Sequence, residues 1–131
     1  MAGEASSPLS ILVVDDHPDS LDLLARLLRR CGHVVETAST VAGALAAIAR
    51  RRFDLLISDV GLPDGSGTEV MRTIRAVQGV PGIAVTGHGE EDFTVACADA
   101  GFAVRLLKPV AFSTLVEAME RALPGASKPI C

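Results

Sequence analysis

The stretch Ile11–Ser20, "ILVVDDHPDS", decides how the rest of the sequence is interpreted. Four consecutive aliphatic residues suit a strand that is buried on both faces, as strands in parallel sheets are. This strand runs directly into two adjacent carboxylates, Asp15 and Asp16, which repel each other unless a cation lies nearby. A buried strand that ends in paired acids predicts a chemical site at its carboxyl end.

Four more short apolar segments follow at intervals that leave room for a helix after each of them. The predicted strands are Ser10–Val14, His33–Thr37, Asp54–Ser58, Gly82–Val85 and Ala103–Leu106. Segments with apolar residues at helical spacing fill the gaps. The predicted helices are Asp19–Arg30, Thr40–Arg50, Ser66–Ala76, Glu90–Ala100 and Phe112–Ala122. This alternation predicts an α/β domain with a single parallel sheet and helices on both faces.

The composition excludes several classes of binding function. The chain has 131 residues, of which 49% are hydrophobic, and a net charge of −4, so it offers no basic surface for phosphate backbones. It has no Trp or Tyr on which bases could stack. No apolar run reaches the roughly 18 residues of a membrane span, and the N-terminal residues lack a signal-peptide pattern. We expect a cytoplasmic domain that binds neither nucleic acid nor membrane; the sequence leaves the oligomeric state open.

The two ends of the chain lack the periodicity of helices or strands, and the cysteines form no recognisable motif. We expect residues 1–8 and 124–131 to be flexible tails around a domain that covers residues 9–123. Three scattered cysteines without a CxxC pair indicate neither a disulfide framework nor a zinc site. Cys31 and Cys97 are predicted to be buried or half-buried in helices, and Cys131 to be an exposed terminal thiol.

Polar residues lie where several of the predicted strands end. Asp15 and Asp16 follow the first strand, Asp59 the third, Thr86 the fourth and Lys108 the fifth. Because the carboxyl ends of parallel strands meet at one edge of a sheet, we expect these side chains to lie close together. Carboxylates with room for water suit Mg²⁺, which can bring in a phosphoryl group. Asp59 is then placed as a nucleophile, with Lys108 and Thr86 as partners for phosphoryl oxygens.

Four motifs in this order resemble the receiver domain of two-component response regulators. They are "VVDDHPD", "LLISDVGLPDGSG", "IAVTG" and "LLKPV", and the resemblance covers about Leu9 to Leu123. It implies a flavodoxin-like, doubly wound, five-stranded parallel sheet with strand order 2-1-3-4-5. It also implies a partner histidine kinase or histidine phosphotransfer domain that donates the phosphoryl group. More narrowly, "GLPDGSG", "GIAVTGHG" and "AGFAVRLLKP" resemble receivers fused to hybrid histidine kinases.

The resemblance implies a role for each residue of the site. Asp59 matches the phosphoacceptor, Thr86 the switch hydroxyl, and Lys108 the lysine that contacts the phosphoryl group. The implied ligands of Mg²⁺ are Asp15, which acts through water, Asp16, Asp59 and the backbone carbonyl of Gly61. The Lys108–Pro109 peptide bond would be cis, which proline makes accessible. Such a domain catalyses its own phosphorylation and slow dephosphorylation and has no separate substrate.

Three residues need a separate interpretation. Arg105 stands three residues before Lys108, where the family usually has Tyr or Phe, and both a solvent-facing position and a partner-binding role remain open for it. His17 is interpreted as a surface or capping residue, because Mg²⁺ prefers oxygen ligands. Asp64 is interpreted as a turn residue.

Two other functions remain open at this point. One is a Mg²⁺-dependent phosphatase with an aspartyl intermediate, which generally needs a second acid where this chain has Gly61. The other is a protein-interaction module that has the receiver fold and works without phosphorylation. The replacement of an aromatic residue by Arg105 keeps the second possibility open.

Overall fold

The protein is a five-stranded parallel sheet with helices on both faces and a small separate hairpin. The computed structural model describes residues 8–87, 98–123 and 130–131. The strands are β1 Ser10–Val14, β2 Val34–Ala38, β3 Leu55–Asp59, β4 Gly61–Leu62, β5 Gly65–Ser66, β6 Gly82–Thr86 and β7 Val104–Leu107. The helices are α1 Pro18–Arg30, α2 Val41–Arg50, α3 Gly67–Gln78 and α4 Phe112–Ala122. The main sheet has the order β2-β1-β3-β6-β7, which is the predicted order 2-1-3-4-5 of its five strands.

The sheet separates two hydrophobic cores, because alternate residues of each strand face opposite layers. Leu12 of β1 and Leu56 of β3 belong to the core that contains residues of α2 and α3. Ile11 belongs to the other core, with Leu28 of α1 and Met119 of α4. All of these strand residues are fully buried. The aliphatic runs of the sequence therefore form strands covered on both faces, as predicted.

The hairpin formed by β4 and β5 was not predicted, and it gives Asp64 a specific function. Gly61 pairs with Ser66 and Leu62 with Gly65, so that Asp64 lies in the connecting turn. Its carboxylate accepts hydrogen bonds from the backbone amides of Val41, at 2.8 Å, and Ala42, at 3.0 Å. These are free amides of the first turn of α2, where a negative charge is favourable. Asp64 is thus a turn residue, as predicted, that also caps a helix distant in sequence.

The observed elements differ slightly in their bounds from the predicted ones. Strands β2, β3, β6 and β7 each end one residue later than predicted, since the parallel pairing continues through Asp59↔Val85 and Thr86↔Leu107. Ser66 and Glu69 form the predicted capping box of α3. Of the predicted helix Glu90–Ala100, only residues 98–100 are described, and they are helical; the other residues, including Cys97, lie outside the described residues.

The described end of the chain is attached to the domain, which corrects two predictions. Cys131 forms a disulfide with Cys31 at the end of α1, so it is not a free thiol. Ile130 is buried in the core next to α1 and α4, so the predicted flexible tail does not include these last two residues. His33 accepts a hydrogen bond from the amide of Leu9, at 3.0 Å, and donates one from Nε2 to the carbonyl of Ile130, at 2.8 Å. Sequence spacing could not show a pair that closes across 100 residues.

Within the described ranges, no helix has both the length and the apolar character that a membrane crossing requires.

Candidate functional site

The carboxyl ends of four strands form one edge of the sheet. Asp59 is opposite Val85, and Thr86 is opposite Leu107, the residue before Lys108. The amide of Lys108 donates a hydrogen bond to the carbonyl of Thr86, at 2.7 Å. The parallel register therefore brings the predicted nucleophile, hydroxyl and ammonium to the same edge, as the sequence predicted.

Asp59 and Lys108 form the central contact of this edge. The Nζ atom of Lys108 donates to Oδ2 of Asp59 at 2.9 Å and lies 3.6 Å from Oδ2 of Asp15. The other oxygen of Asp59, Oδ1, accepts a hydrogen bond from the amide of Val60 at 2.9 Å. The side chain of Asp59 is 10% exposed. One ammonium and one amide thus hold the Asp59 carboxylate at the surface of the core, where a small part of it remains accessible to solvent.

Two opposing influences act on the pKa of Lys108. Partial burial, the largest of them, lowers the pKa because it disfavours the charged form. The hydrogen bond and charge of Asp59, together with those of Asp15, outweigh burial and raise the pKa above its ordinary value of 10.5. Lys108 is therefore a fixed cation at neutral pH and can attract an anionic group.

Four side chains at this edge converge closely enough to hold one metal ion. They belong to Asp15, Asp16, His17 and Asp59, and one possible ligand atom from each lies within 4.8 Å of the others. The Asp16 side chain is 36% exposed, which leaves room for water ligands. Three carboxylates with water match the oxygen-rich coordination that Mg²⁺ prefers. The residues present therefore fit a Mg²⁺ ion.

The start of α3 supports the backbone on which Asp59 lies. The amide of Gly67 donates a hydrogen bond to the carbonyl of Val60 at 2.8 Å, and Ser58 Oγ donates to the carbonyl of Asp59 at 2.8 Å. A Cβ atom at Gly67 would overlap the carbonyl oxygen of Asp59 and lie 2.8 Å from Ser58 Oγ. Only glycine lets this helix approach the strand so closely, and that approach fixes the position of Asp59.

Residues 11–120 match the family model described as the response regulator receiver domain. The chain belongs to this family. The fold is similar to that of a CheY-like response regulator receiver domain protein from Methanospirillum hungatei JF-1. The two share 34% identity and superpose with a TM-score of 0.85 over 90% of this chain and 95% of that one.

A second solved receiver domain is also similar to this chain. It is the receiver domain of the sensor histidine kinase PA1611 from Pseudomonas aeruginosa PAO1, crystallised with a magnesium ion coordinated in its active-site cleft. It is 28% identical to this chain, with a TM-score of 0.80, and the match covers 91% of this chain and 100% of that one.

Curated relatives include both transcriptional regulators and sensor proteins. The chain is 37% identical over 117 residues to the transcriptional regulatory protein GlrR of Escherichia coli K12, and the match covers 88% of this chain. It is 33% identical over an alignment of 129 residues to the virulence sensor protein BvgS of Bordetella pertussis Tohama I, and that match covers 92% of this chain. The matched region is 26% of GlrR and 10% of BvgS, so the chain corresponds to a minor part of either relative.

The remaining predicted residues of this receiver domain take the following places. Thr86 is 3% exposed at the end of β6. Gly61 begins β4, two residues after Asp59, and its function as a carbonyl ligand stays a prediction. Arg105 is half-buried in β7 opposite Ala84, so both a solvent-facing position and a partner-binding role stay open for it. The Lys108–Pro109 bond is cis, as the resemblance implied.

His17 is the residue whose position the sequence interpretation missed. Its Nδ1 atom faces the acids, 3.3 Å from Oδ1 of Asp15 and 3.2 Å from Oδ1 of Asp16. It occupies the N-cap position of α1, but among the described residues its side chain makes no capping hydrogen bond. The surface interpretation holds and the capping one does not. The signal in the sequence was its place directly after the two acids.

An apolar groove opens beside the acids. It is lined by Leu23, Leu24 and Leu27 of α1, by Val110 and Phe112, and by Asp15 and Lys108 of the site. Its volume is about 550 Å³. Leu23 is 59% exposed, which is unusual for a leucine on a helix with a well-defined apolar face. The groove thus joins an apolar surface to the acidic site.

Proposed function

We propose that this receiver domain is a phosphoacceptor switch that takes a phosphoryl group from phosphohistidine onto Asp59. The contact between Lys108 and Asp59, at 2.9 Å beside two further acids, is the observation that carries this proposal. It supports a site in which a carboxylate nucleophile, a fixed cation and a set of metal ligands would all reach one phosphoryl group.

The transfer breaks one bond and forms another. A carboxylate oxygen of Asp59 attacks phosphorus as the phosphorus–nitrogen bond of phosphohistidine breaks, and the electron pair of that bond returns to the leaving imidazole. The residues that would hold Mg²⁺ are Asp16, Asp59 and the carbonyl of Gly61, with Asp15 acting through water. When bound, Mg²⁺ offsets the negative charge shared by the carboxylates and the phosphoryl oxygens.

Lys108 and Thr86 would contact the oxygens of the new phosphoryl group. A charge near −2 on Asp59 offers Lys108 a stronger partner than the carboxylate it contacts now. The hydroxyl of Thr86, at the end of the neighbouring strand β6, would donate to another phosphoryl oxygen. Because the amide of Lys108 already bonds to the carbonyl of Thr86, movement at one residue is passed to the other. Hydrolysis of the aspartyl phosphate by water would reset the switch.

Arg105 stands where the family usually has Tyr or Phe, so we expect the output of this domain to differ from one that depends on an aromatic ring at this position. Its long charged side chain, half-buried on the edge strand β7, does not fit a slot made for a neutral ring. We propose that the signal passes through the backbone of β7 and the surface around Arg105 to a partner protein. The alternative function, a protein-interaction module that works without phosphorylation, is supported by Arg105 and by no other residue of the site.

The donor would be a histidine kinase or histidine phosphotransfer domain that places its histidine-bearing helix in the groove. An apolar groove that also contains Asp15 and Lys108 in its lining would bring such a helix close to Asp59. Such transfer takes place in the cytoplasm, where we place the domain. The similarity to GlrR and BvgS supports a receiver that works as part of a larger signalling protein.

Beryllofluoride, a stable mimic of the phosphoryl group, tests the proposal directly. In the presence of Mg²⁺ it should shift the amide NMR signals of Asp59, Thr86 and Lys108 in the natural chain. Asp59→Asn, which keeps the size of the side chain, should show no shift. Equal shifts in both proteins would place the acceptor elsewhere, and no shift in the natural chain would contradict the proposal.

The groove has its own test. Leu23→Ala should slow transfer from phosphorylated histidine phosphotransfer domains of the source organism, because it removes exposed apolar area, and should leave phosphorylation by acetyl phosphate at the natural rate. Equal transfer rates for the variant and the natural chain would contradict docking in the groove.

A further inference from the structure

We propose that His17 is a nitrogen ligand of the metal site and shifts its preference from Mg²⁺ toward transition ions such as Zn²⁺. This inference rests on the metal site of the proposed function and adds a residue to it. Three observations support it: the direction of the His17 side chain, its distances from the acids, and the charge of the cluster.

The backbone directs His17 toward the acids. Its amide donates a hydrogen bond to Oδ1 of Asp15 at 2.9 Å, which turns the chain back over the strand end. Pro18 follows at the first position of α1, where its ring restricts the backbone. The imidazole, which is 68% exposed, lies over the carboxylates instead of capping the helix. The local fold therefore orients this side chain before any ion binds.

His17 Nδ1 is within hydrogen-bond distance of Oδ1 of Asp15, and its distances to both acids also equal those between ligands of one ion. Nδ1 of His17 lies 3.2 Å from Oδ1 of Asp16 and 3.3 Å from Oδ1 of Asp15. Charge-assisted hydrogen bonds between nitrogen and carboxylate are shorter, about 2.7–2.9 Å. Ligand atoms about 2.0–2.2 Å from one ion, at tetrahedral or octahedral angles, lie roughly 2.8–3.6 Å apart. Nδ1 of His17 and Oδ1 of Asp16, which would bind the ion directly, thus have the separation of neighbouring ligands.

The charges in the cluster favour a divalent ion with a neutral fourth ligand. Asp15, Asp16 and Asp59 carry three negative charges, and Lys108 offsets one of them. A divalent ion cancels the remainder, and a neutral imidazole adds a ligand without changing that balance. Imidazole nitrogen suits Zn²⁺, whereas Mg²⁺ binds oxygen almost exclusively. His17 therefore strengthens binding of Zn²⁺ much more than binding of Mg²⁺.

This ligand set has a consequence for the switch. Because Asp59 and Asp16 would bind either ion, Zn²⁺ and Mg²⁺ compete for one site. A zinc ion that also holds His17 would occupy the place that Mg²⁺ needs during phosphoryl transfer.

Calorimetric titration at one fixed pH tests the inference on the whole chain. Zn²⁺ and Mg²⁺ are titrated separately into the natural protein and into His17→Gln, which keeps a polar side chain but lacks imidazole. We expect the ratio of the Mg²⁺ to the Zn²⁺ dissociation constant to fall at least tenfold in the variant. Imidazole ¹⁵N signals of His17 should shift with Zn²⁺ and not with Mg²⁺. An unchanged ratio, or a His17 signal indifferent to Zn²⁺, overturns the inference.

Asp16→Asn separates this inference from the proposed function. The variant lacks a carboxylate that both ions need, so it should lose binding of both, while zinc held by a cysteine thiol elsewhere would persist. Normal Mg²⁺ binding with no effect of His17→Gln overturns the inference and leaves the phosphoacceptor proposal standing. Absence of Mg²⁺ binding in the natural chain contradicts the metal site on which both rest.

Discussion

The ammonium nitrogen of Lys108 lies 2.9 Å from Oδ2 of Asp59, a residue 49 positions earlier in the sequence. This contact crosses over the intervening strand β6 and connects the ends of β3 and β7. Lys108 also lies 3.6 Å from Asp15, so that one cation is shared by two acids. A metal ion that binds Asp59 must therefore compete with Lys108. A phosphoryl group on Asp59 can take Lys108 as a partner.

Replacing Lys108 by methionine should make the acids bind Mg²⁺ more tightly. The variant keeps an unbranched chain of nearly the same length and removes the cation that competes for Asp59 and Asp15. Since the site is partly open to solvent, we expect a gain on the order of 1 kcal/mol, about fivefold in affinity. Calorimetry with Mg²⁺ measures it, and Lys108→Arg, which keeps the charge, is the control. Weaker binding in the methionine variant would show that Lys108 does not compete with the ion.

Gly67→Ala should destabilise the domain and displace Asp59. The added Cβ would overlap the carbonyl oxygen of Asp59, and either α3 or the end of β3 must move to relieve the overlap. We expect a loss of about 1–3 kcal/mol in the free energy of unfolding, measured with urea. At Gly61 none of the described residues has an atom within 4 Å of an added Cβ, so Gly61→Ala is the matched control. Similar losses at both positions would mean that the close approach at Gly67 is unimportant.

Asp64→Asn should lower the midpoint of thermal unfolding at neutral pH and change the pH dependence of folding stability. Hydrogen bonds from the amides of Val41 and Ala42 lower the pKa of Asp64 from its ordinary value of 3.8. A carboxyl whose pKa falls on folding stabilises the protein above its unfolded pKa and loses that effect as the pH falls through the lowered value. The stability difference between the two proteins should thus shrink as the pH drops below 3.8. A difference that stays constant with pH would exclude a charge-dependent cap.

Removing the disulfide should cost substantial stability. Cys31 and Cys131 are 100 residues apart, and closing so long a loop restricts the unfolded chain. We expect Cys131→Ser to lower the free energy of unfolding by about 2–4 kcal/mol. Cys31→Ser and the double variant should lose the same amount, because all three lack one shared bond. Additive losses in the double variant would mean that the cysteines act independently. In a reducing cytoplasm the domain would populate its less stable dithiol form.

The sequence pattern predicted the parallel sheet and the meeting of Asp59 with Lys108, because these depend on parallel strands that end in polar residues. The strand order came from the resemblance to receiver domains. It did not predict the bounds of the strands to the residue, since pairing at Asp59 and Thr86 depends on the neighbouring strand. The hairpin that carries Asp64 has only two residues in each strand, too few for a periodic pattern.

Contacts between distant residues account for the other differences. The disulfide requires the described end of the chain to return to α1, and a count of cysteines contains no such information. Likewise, His17 was interpreted from the ligand preference of Mg²⁺, whereas its orientation depends on the backbone turn at Asp15. Strand and helix patterns are local, and these contacts are not.

Phosphorylation of the intact chain by acetyl phosphate is the most direct test of the central claim. With Mg²⁺ present, intact-protein mass spectrometry should detect one added phosphoryl group, and peptide mapping after chemical trapping should locate it on Asp59. Asp59→Asn should gain nothing under the same conditions. Failure of the natural chain to take up a phosphoryl group, or uptake that persists in Asp59→Asn, would contradict the claim that Asp59 is the acceptor.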